Sequence, residues 1–218
     1  MTDSHLRELE RRFRASASVE DEAAWLRARV QAGELSQERL ELAAYLGHPA
    51  AGAPPGNPDL TWTPENQAPT WRWAEGLARW GVEAQTRAAV AATRQALRFW
   101  EAGDPLDYRP HVAVELAERW ILTPEAANLD AQLAQAHESA DALSESPSAG
   151  SRGKVAWAAA CCALCPFDTS HACCEAVYAA DEVVDGVPTR VRDELVPWAL
   201  GYSDPVRERV EARQREED

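Results

Sequence analysis

The stretch VEAQTRAAVAATRQALRFWEA, residues 82–102, decides the fold class of this 218-residue chain. Its larger apolar side chains, Val90, Leu97 and Trp100, stand among small alanines at i, i+7 and i+10. This spacing is that of one face of an α-helix. Alanine, leucine, arginine and glutamine are also strong helix formers. The stretch therefore predicts a long helix with an alanine-rich face.

Towards the N-terminus, the sequence predicts three shorter helices within residues 1–52. Ser18 and Ser36 each precede a helical pattern and are typical N-cap residues. Gly33 follows the second pattern and is typical of a helix end. We therefore expect an N-terminal three-helix unit.

Towards the C-terminus, proline marks the predicted helix starts. Pro110 precedes HVAVELAERWIL, and Thr123-Pro124 indicates a start for a helix that runs to about Leu143, because proline is favoured in the first helical turn. Later helices are expected at about 154–165, 170–184 and 189–200.

Residues 48–70 interrupt the helical pattern with six of the 14 prolines. Proline prevents regular helix, so a linker is expected here. No run of alternating β-branched residues predicts a strand. The predicted fold is all-α, with nine to eleven helices and no sheet, as a multi-helix bundle or a short solenoid-like array. Its predicted parts are the three-helix unit 1–52, the Pro-rich linker 53–69, a main helical domain 70–202 and a charged C-terminal helix or tail 203–218.

The formal net charge of −14, with 45% apolar residues, indicates an acidic globular protein. An acidic surface repels phosphate backbones and anionic lipids, so we expect neither nucleic acid nor membrane as a partner. It suits a basic protein partner.

The charged first fourteen residues do not predict a secretory signal, and five clustered cysteines do not resemble a secreted disulfide framework. We expect a cytoplasmic protein.

All five cysteines lie in CCALCPFDTSHACC, residues 161–174. In a helical hairpin, Cys162, Cys165, His171 and Cys173 could converge on one zinc ion, which prefers thiolate and imidazole ligands. A thiol redox role is a further alternative. The flanks are rich in alanine, however, and free cysteine packs as a small apolar residue. We favour helix packing, with metal binding or redox chemistry as the alternative.

Nine tryptophans are present. Five stand at helical core spacing and are expected to be buried: Trp25, Trp100, Trp120, Trp157 and Trp198. Trp62, Trp71 and Trp73 differ, since they lie in or beside the proline-rich segment. There they either staple the linker to the helices, which is the favoured interpretation, or form an exposed recognition patch. We take these three as the candidate partner-binding residues.

No catalytic motif stands out in the chain. There is no nucleophile elbow, phosphate-binding loop, H-E-x-x-H pair or glycine-rich dinucleotide fingerprint. The sequence therefore predicts a non-enzymatic protein without a cofactor, with zinc expected only under the cysteine alternative.

Two segments carry a resemblance to known families. SVEDEAAWLRARVQAGELSQERLELAAYLGHPAA, residues 18–51, resembles the opening of a group of all-helical myxobacterial proteins. Residues 87–120 resemble helical proteins regarded as immunity proteins of bacterial polymorphic toxin systems. The shared pieces are an aromatic-acid step, a D-x-R-P turn and an A-x-E-x-A-E-x-W-like helix: Phe99, Trp100, Glu101, Asp107, Arg109, Pro110, Ala113, Glu115, Ala117, Glu118 and Trp120. The resemblance implies an immunity protein that neutralises a cognate toxin, and it carries no catalytic residues.

Overall fold

The structure, a computed structural model, describes residues 3–52, 70–145 and 150–217. Within these ranges it contains no strand, so the predicted all-α class is confirmed. None of the described helices is both long and apolar enough to cross a membrane. The α-helices are α1 (Asp3–Ser16), α2 (Val19–Ala32), α3 (Gln37–Tyr45), α4 (Thr70–Gly76), α5 (Gly81–Gly103), α6 (Arg109–Leu122), α7 (Leu129–Ser144), α8 (Gly150–Leu164), α9 (Thr169–Asp181), α10 (Val187–Leu200) and α11 (Pro205–Glu217), with short 3-10 helices at Pro49–Ala51 and Leu77–Trp80.

The chain divides into two compact units, of which the first contains residues 1–68 and 195–203 and the second residues 69–194 and 204–218. The prediction instead placed residues 195–202 with the main helical domain and residue 203 with the C-terminal segment. Two contacts account for their place in the first unit. The Arg39 guanidinium lies 4.4 Å from the centroid of the Trp198 ring, and Arg29 donates to the Leu200 carbonyl oxygen at 2.6 Å.

In the first unit, local signals set the helix ends that the sequence predicts. The Ser18 hydroxyl accepts a hydrogen bond from the Asp21 backbone N–H at 3.1 Å, and Ser36 does the same for Arg39 at 3.2 Å. Both are confirmed as N-caps. Gly33 ends α2 with φ of 76°, a left-handed conformation that glycine adopts without strain.

The second unit is built around α5, which packs against α6, α8 and α9. Its buried face is rich in alanine, as residues 82–102 predict, and the buried faces of α8 and α9 are rich in alanine and cysteine. Small side chains at the contacts allow helices to approach closely. Further packing of α7 on α8 and of α4 on α9 completes a helical bundle within this unit.

The predicted start of a helix at Thr123-Pro124 is wrong, because α7 begins only at Leu129. Two successive turns precede it, in which the Ala126 N–H donates to the Thr123 carbonyl at 3.0 Å and the Leu129 N–H to the Ala126 carbonyl at 3.2 Å. Asn128 then adopts a left-handed conformation with φ of 63°. That conformation ends the turns, and a regular helix starts only after it.

The charged C-terminus, predicted as a helix or a tail, forms helix α11 in the structure. It packs against α6 and buries the apolar side chains of Val206 and Val210. Just before α11, Asp204 accepts two hydrogen bonds from the buried Arg87 of α5, at 2.7 and 3.0 Å. A bidentate pair of this kind fixes the entry to the helix.

Candidate partner-binding cleft

The three tryptophans predicted to bind a partner do not share one environment. Trp62 lies outside the described residues. Trp73 has none of its surface exposed, whereas Trp71 is 46% exposed. Both stand on α4, and positions i and i+2 of a helix point to different sides. Trp73 is thus a core residue, which fits the stapling alternative and removes Trp73 from the candidate partner-binding residues, and Trp71 remains as a surface aromatic.

Trp71 lines a cleft of about 460 Å³, named the Trp71 cleft below. Glu75 stands one turn after Trp71 on α4 and lines the same cleft. The remaining side chains come from α9, at positions i, i+3, i+4 and i+7: His171, Cys174, Glu175 and Tyr178. Residues at this spacing share one helix face, so the cleft is formed by two helix faces turned towards each other.

Specific contacts hold the walls of the Trp71 cleft in place. The Thr70 hydroxyl donates to Asp181 Oδ2 at 2.6 Å, which ties the start of α4 to the end of α9. Trp157 Nε1 donates to Glu175 Oε2 at 3.2 Å and so orients that carboxylate from α8. The carboxylate of Glu175 is therefore fixed before any ligand arrives.

The electrostatic potential in the cleft is negative, and the pKa of Cys174 reflects it. Burial first, and then the charges of Glu75 and Glu175, raise the pKa of the Cys174 thiol to about 11. The thiol is neutral at pH 7 and is not an activated nucleophile, since reactive cysteines have lowered pKa values. The cleft therefore favours holding a cation over attacking an electrophile.

Two aromatic rings complete the cleft. Trp71 and Tyr178 are 46% and 44% exposed, and both are large apolar side chains on the surface. The guanidinium of Arg72 already lies 5.1 Å from the centroid of the Trp71 ring. An aromatic ring attracts a cation within about 6 Å of its centroid, so the Trp71 ring is suited to a guanidinium.

The structure brings Cys165 and Cys173 together but does not gather all four predicted zinc ligands at one point. Cys162, Cys165 and Cys173 are buried, whereas the His171 side chain is 72% exposed and lines the Trp71 cleft. Among the residues that the structure describes, no group of three or more His, Cys, Asp or Glu is placed to hold a metal ion. A hydrogen bond with Cys165, together with burial, raises the pKa of Cys173, and burial raises that of Cys162. Cys162 on α8, Cys173 on α9 and Cys165, one residue after the end of α8, are buried, as are the alanines of these two helices.

Four residues of the cleft were not singled out from the sequence: Glu75, Cys174, Glu175 and Tyr178. The signal that could have found them is the spacing itself. Glu75 follows Trp71 by four residues, and the four α9 positions form a stripe that begins at His171. The sequence does not show that these two sets of residues face each other, because that depends on the packing of α4 on α9.

The arrangement offers two aromatic faces, two carboxylates and a neutral thiol around one small cleft. Chemically, this set can bind a positively charged group by cation–π contact and ion pairing. The chain matches no protein-family model, and comparison with curated proteins and with solved structures gives no match either.

Proposed function

We propose that this chain is a non-enzymatic helical protein that binds a basic protein partner through the Trp71 cleft, acting in the cytoplasm as an immunity protein against a cognate bacterial toxin. The observation that carries the proposal is the exposed Trp71 ring beside Glu75 and Glu175, on a chain with a net charge of −14. No cofactor takes part.

The energetics of protein interfaces support this use of Trp71. Exposed aromatic side chains in a concave setting act as anchors, and an anchor residue contributes about 2 kcal/mol or more to binding. The α4 and α9 helices hold the ring on a rigid base, which lowers the entropy lost on association. The Trp71 cleft therefore has the features of an interface centre.

The charge of the chain supports a basic partner. Complementary charge steers association and raises the rate at which partners meet. An immunity protein benefits from fast association, because the toxin must be occluded before it reaches its target. The segment 87–120, which resembles helical immunity proteins, belongs to the same unit as the Trp71 cleft.

A growth assay tests the proposal. A toxic polypeptide encoded beside the gene of this chain is expressed in a bacterial host, with and without the chain. We expect the wild-type chain to restore growth and Trp71→Ala to abolish that protection. The matched control is Phe99→Ala, which removes another exposed aromatic, 39% exposed, from α5 of the same unit.

Two results would overturn the proposal. One is the absence of protection by the wild-type chain against every toxic neighbour. The other is equal protection by the Trp71→Ala and wild-type chains at equal protein levels, with unchanged far-UV circular dichroism. Loss of protection with both Trp71→Ala and Phe99→Ala would show that the interface extends beyond the Trp71 cleft.

A further inference from the structure

We propose that the ligand of the Trp71 cleft is an arginine side chain of the partner, with its guanidinium stacked on the aromatic rings and hydrogen-bonded to Glu75 and Glu175. The inference rests on the proposed function, since it names the chemical group by which the partner is recognised. It distinguishes arginine from lysine and from any neutral side chain.

The carboxylates of Glu75 and Glu175 are suited to a ligand that has several hydrogen-bond donors. Within the described residues, no hydrogen bond or ion pair engages the exposed carboxylate of Glu75. Glu175 uses Oε2 to accept from Trp157, while the nearest ion-pair partner of its Oε1 is His171 Nε2 at 4.0 Å. Among the described residues, neither Glu175 Oε1 nor the carboxylate of Glu75 therefore accepts a hydrogen bond, and both can accept one from a cation.

Arginine fits this set of acceptors better than lysine does. Its planar guanidinium carries five N–H donors and can bond carboxylates on two sides while its face stacks on an aromatic ring. An ammonium group is a compact, strongly hydrated point charge without a face to stack. The Trp71 ring already has one guanidinium beside it, from Arg72. The ring therefore accommodates this geometry.

The size of the cleft agrees with one inserted side chain. Its volume of about 460 Å³ falls in the range of small-ligand sites, roughly 300–1,000 Å³. The long stem of arginine can lie along the rings of Trp71 and Tyr178 while its charged end meets the carboxylates. A partner helix would need a longer groove.

Short peptides test the inference without the partner. Acetylated, amidated pentapeptides Gly-Gly-Xaa-Gly-Gly, with arginine, lysine or citrulline at the centre, are titrated into the full-length chain. Binding is followed by the NMR signal of the Trp71 indole N–H, assigned with Trp71→Phe. Citrulline is the control for charge, because it keeps the shape of arginine but is neutral.

We expect the arginine peptide to shift the indole signal saturably and to bind about fivefold or more tightly than the lysine peptide, with the citrulline peptide weaker by about tenfold or more. Glu75→Gln and Glu175→Gln should each weaken arginine binding by about fivefold to tenfold. Glu125→Gln, which removes the same charge from an exposed site of the same unit, should leave it unchanged.

Equal affinity for arginine and citrulline, equal affinity for arginine and lysine, or no effect of Glu75→Gln would overturn the inference. Its failure is distinguishable from failure of the proposed function. If no peptide binds but Trp71→Ala still abolishes protection, the inference is wrong and the proposed function stands. If the arginine peptide binds but Trp71→Ala still protects, the cleft binds arginine and is not the surface that neutralises the toxin.

Discussion

Arg94 holds both carboxylate oxygens of Glu118, with Nε 3.0 Å from Oε1 and Nη2 2.7 Å from Oε2. Glu118 stands on α6 with no exposed surface, and Arg94 stands on α5. From α11, Arg209 and Arg213 donate to the same two oxygens at 2.8 and 2.6 Å. A single buried carboxylate thus joins three helices of the second unit.

Replacement of Glu118 by alanine should lower the free energy of unfolding by about 3–5 kcal/mol, because three guanidinium groups lose their common partner. Urea unfolding followed by far-UV circular dichroism measures this. The control is Glu115→Ala on the same helix, where a 40% exposed side chain lies 3.9 Å from Arg213. That change should cost about 0–1 kcal/mol, and equal effects of the two changes would contradict the role of Glu118.

The same carboxylate predicts an acid-dependent loss of stability. Burial raises the pKa of Glu118, but the hydrogen bonds and charges of Arg94 and Arg209 together outweigh burial and hold that pKa below its ordinary value of 4.5. A lowered pKa in the folded state means that the ionised form stabilises the fold. The contribution is fully present above the ordinary pKa and is lost as pH falls through the folded-state pKa.

We therefore expect the free energy of unfolding to fall as the pH drops below about 4.5, and to fall less steeply in Glu118→Gln. Asp204 should behave in the same way, since burial raises its pKa but the hydrogen bonds and charges of Arg87 and Arg207 together outweigh burial and lower it. Urea unfolding at a series of pH values, with wild type beside Glu118→Gln and Asp204→Asn, gives these slopes. Identical slopes for all three chains would contradict the prediction.

Replacement of the two tryptophans of α4 by alanine should lower the free energy of unfolding by different amounts. Trp73→Ala removes a fully buried ring and should cost about 3–5 kcal/mol. Trp71→Ala removes a half-exposed ring and should cost less than about 1 kcal/mol. Thermal and urea unfolding check this pair directly. If Trp71→Ala proves as costly as Trp73→Ala, the Trp71 ring is a structural staple and its place in recognition is lost.

Local chemistry explains which parts of this fold the sequence predicts. Ser18, Ser36 and Pro110 act on helix ends within a few residues of themselves, so their effect is legible in the chain. The start of α7 could not be predicted in this way, because Thr123-Pro124 is equally compatible with the turns that the structure shows there. Alanine-rich periodicity predicts helices but does not say which of them pack together.

The candidate site was predictable only in part, for the same reason. Trp71 is exposed and Trp73 buried because of the direction in which α4 docks, and two aromatic residues two positions apart give no sign of this.

In the sequence, Glu118 looks like any acidic residue on a helix surface. Its burial depends on arginines 24, 91 and 95 positions away, and such distances leave no local pattern.

The negative potential of the Trp71 cleft should appear in the chemistry of Cys174. The half-buried thiol is modified with a positively charged and with a negatively charged methanethiosulfonate reagent, and the ratio of the two rates is measured. This ratio of the positive to the negative reagent should be higher in the wild-type chain than in Glu75→Gln. We expect that rate ratio to fall by about 30-fold, because a nearby unit charge changes the energy of each reagent by roughly 1 kcal/mol and does so in opposite directions for the two reagents. Peptide mass spectrometry confirms the modified residue, since Cys161, Cys162, Cys165 and Cys173 are buried.

Glu125→Gln serves as the control for net charge in this experiment. The ratio of the two rates cancels any change in the pKa of Cys174, because both reagents attack the same thiolate. A ratio that Glu75→Gln leaves unchanged would show that the Glu75 charge does not act in the cleft.

The decisive measurement is the affinity of the chain for the toxic polypeptide that it is proposed to neutralise. Isothermal titration calorimetry compares wild type, Trp71→Ala and Phe99→Ala, each with unchanged helical content. We expect Trp71→Ala to raise Kd about 30-fold or more, which corresponds to about 2 kcal/mol, while Phe99→Ala stays near wild type. A Kd for Trp71→Ala within about twofold of wild type, a difference below about 0.5 kcal/mol, would contradict this expectation.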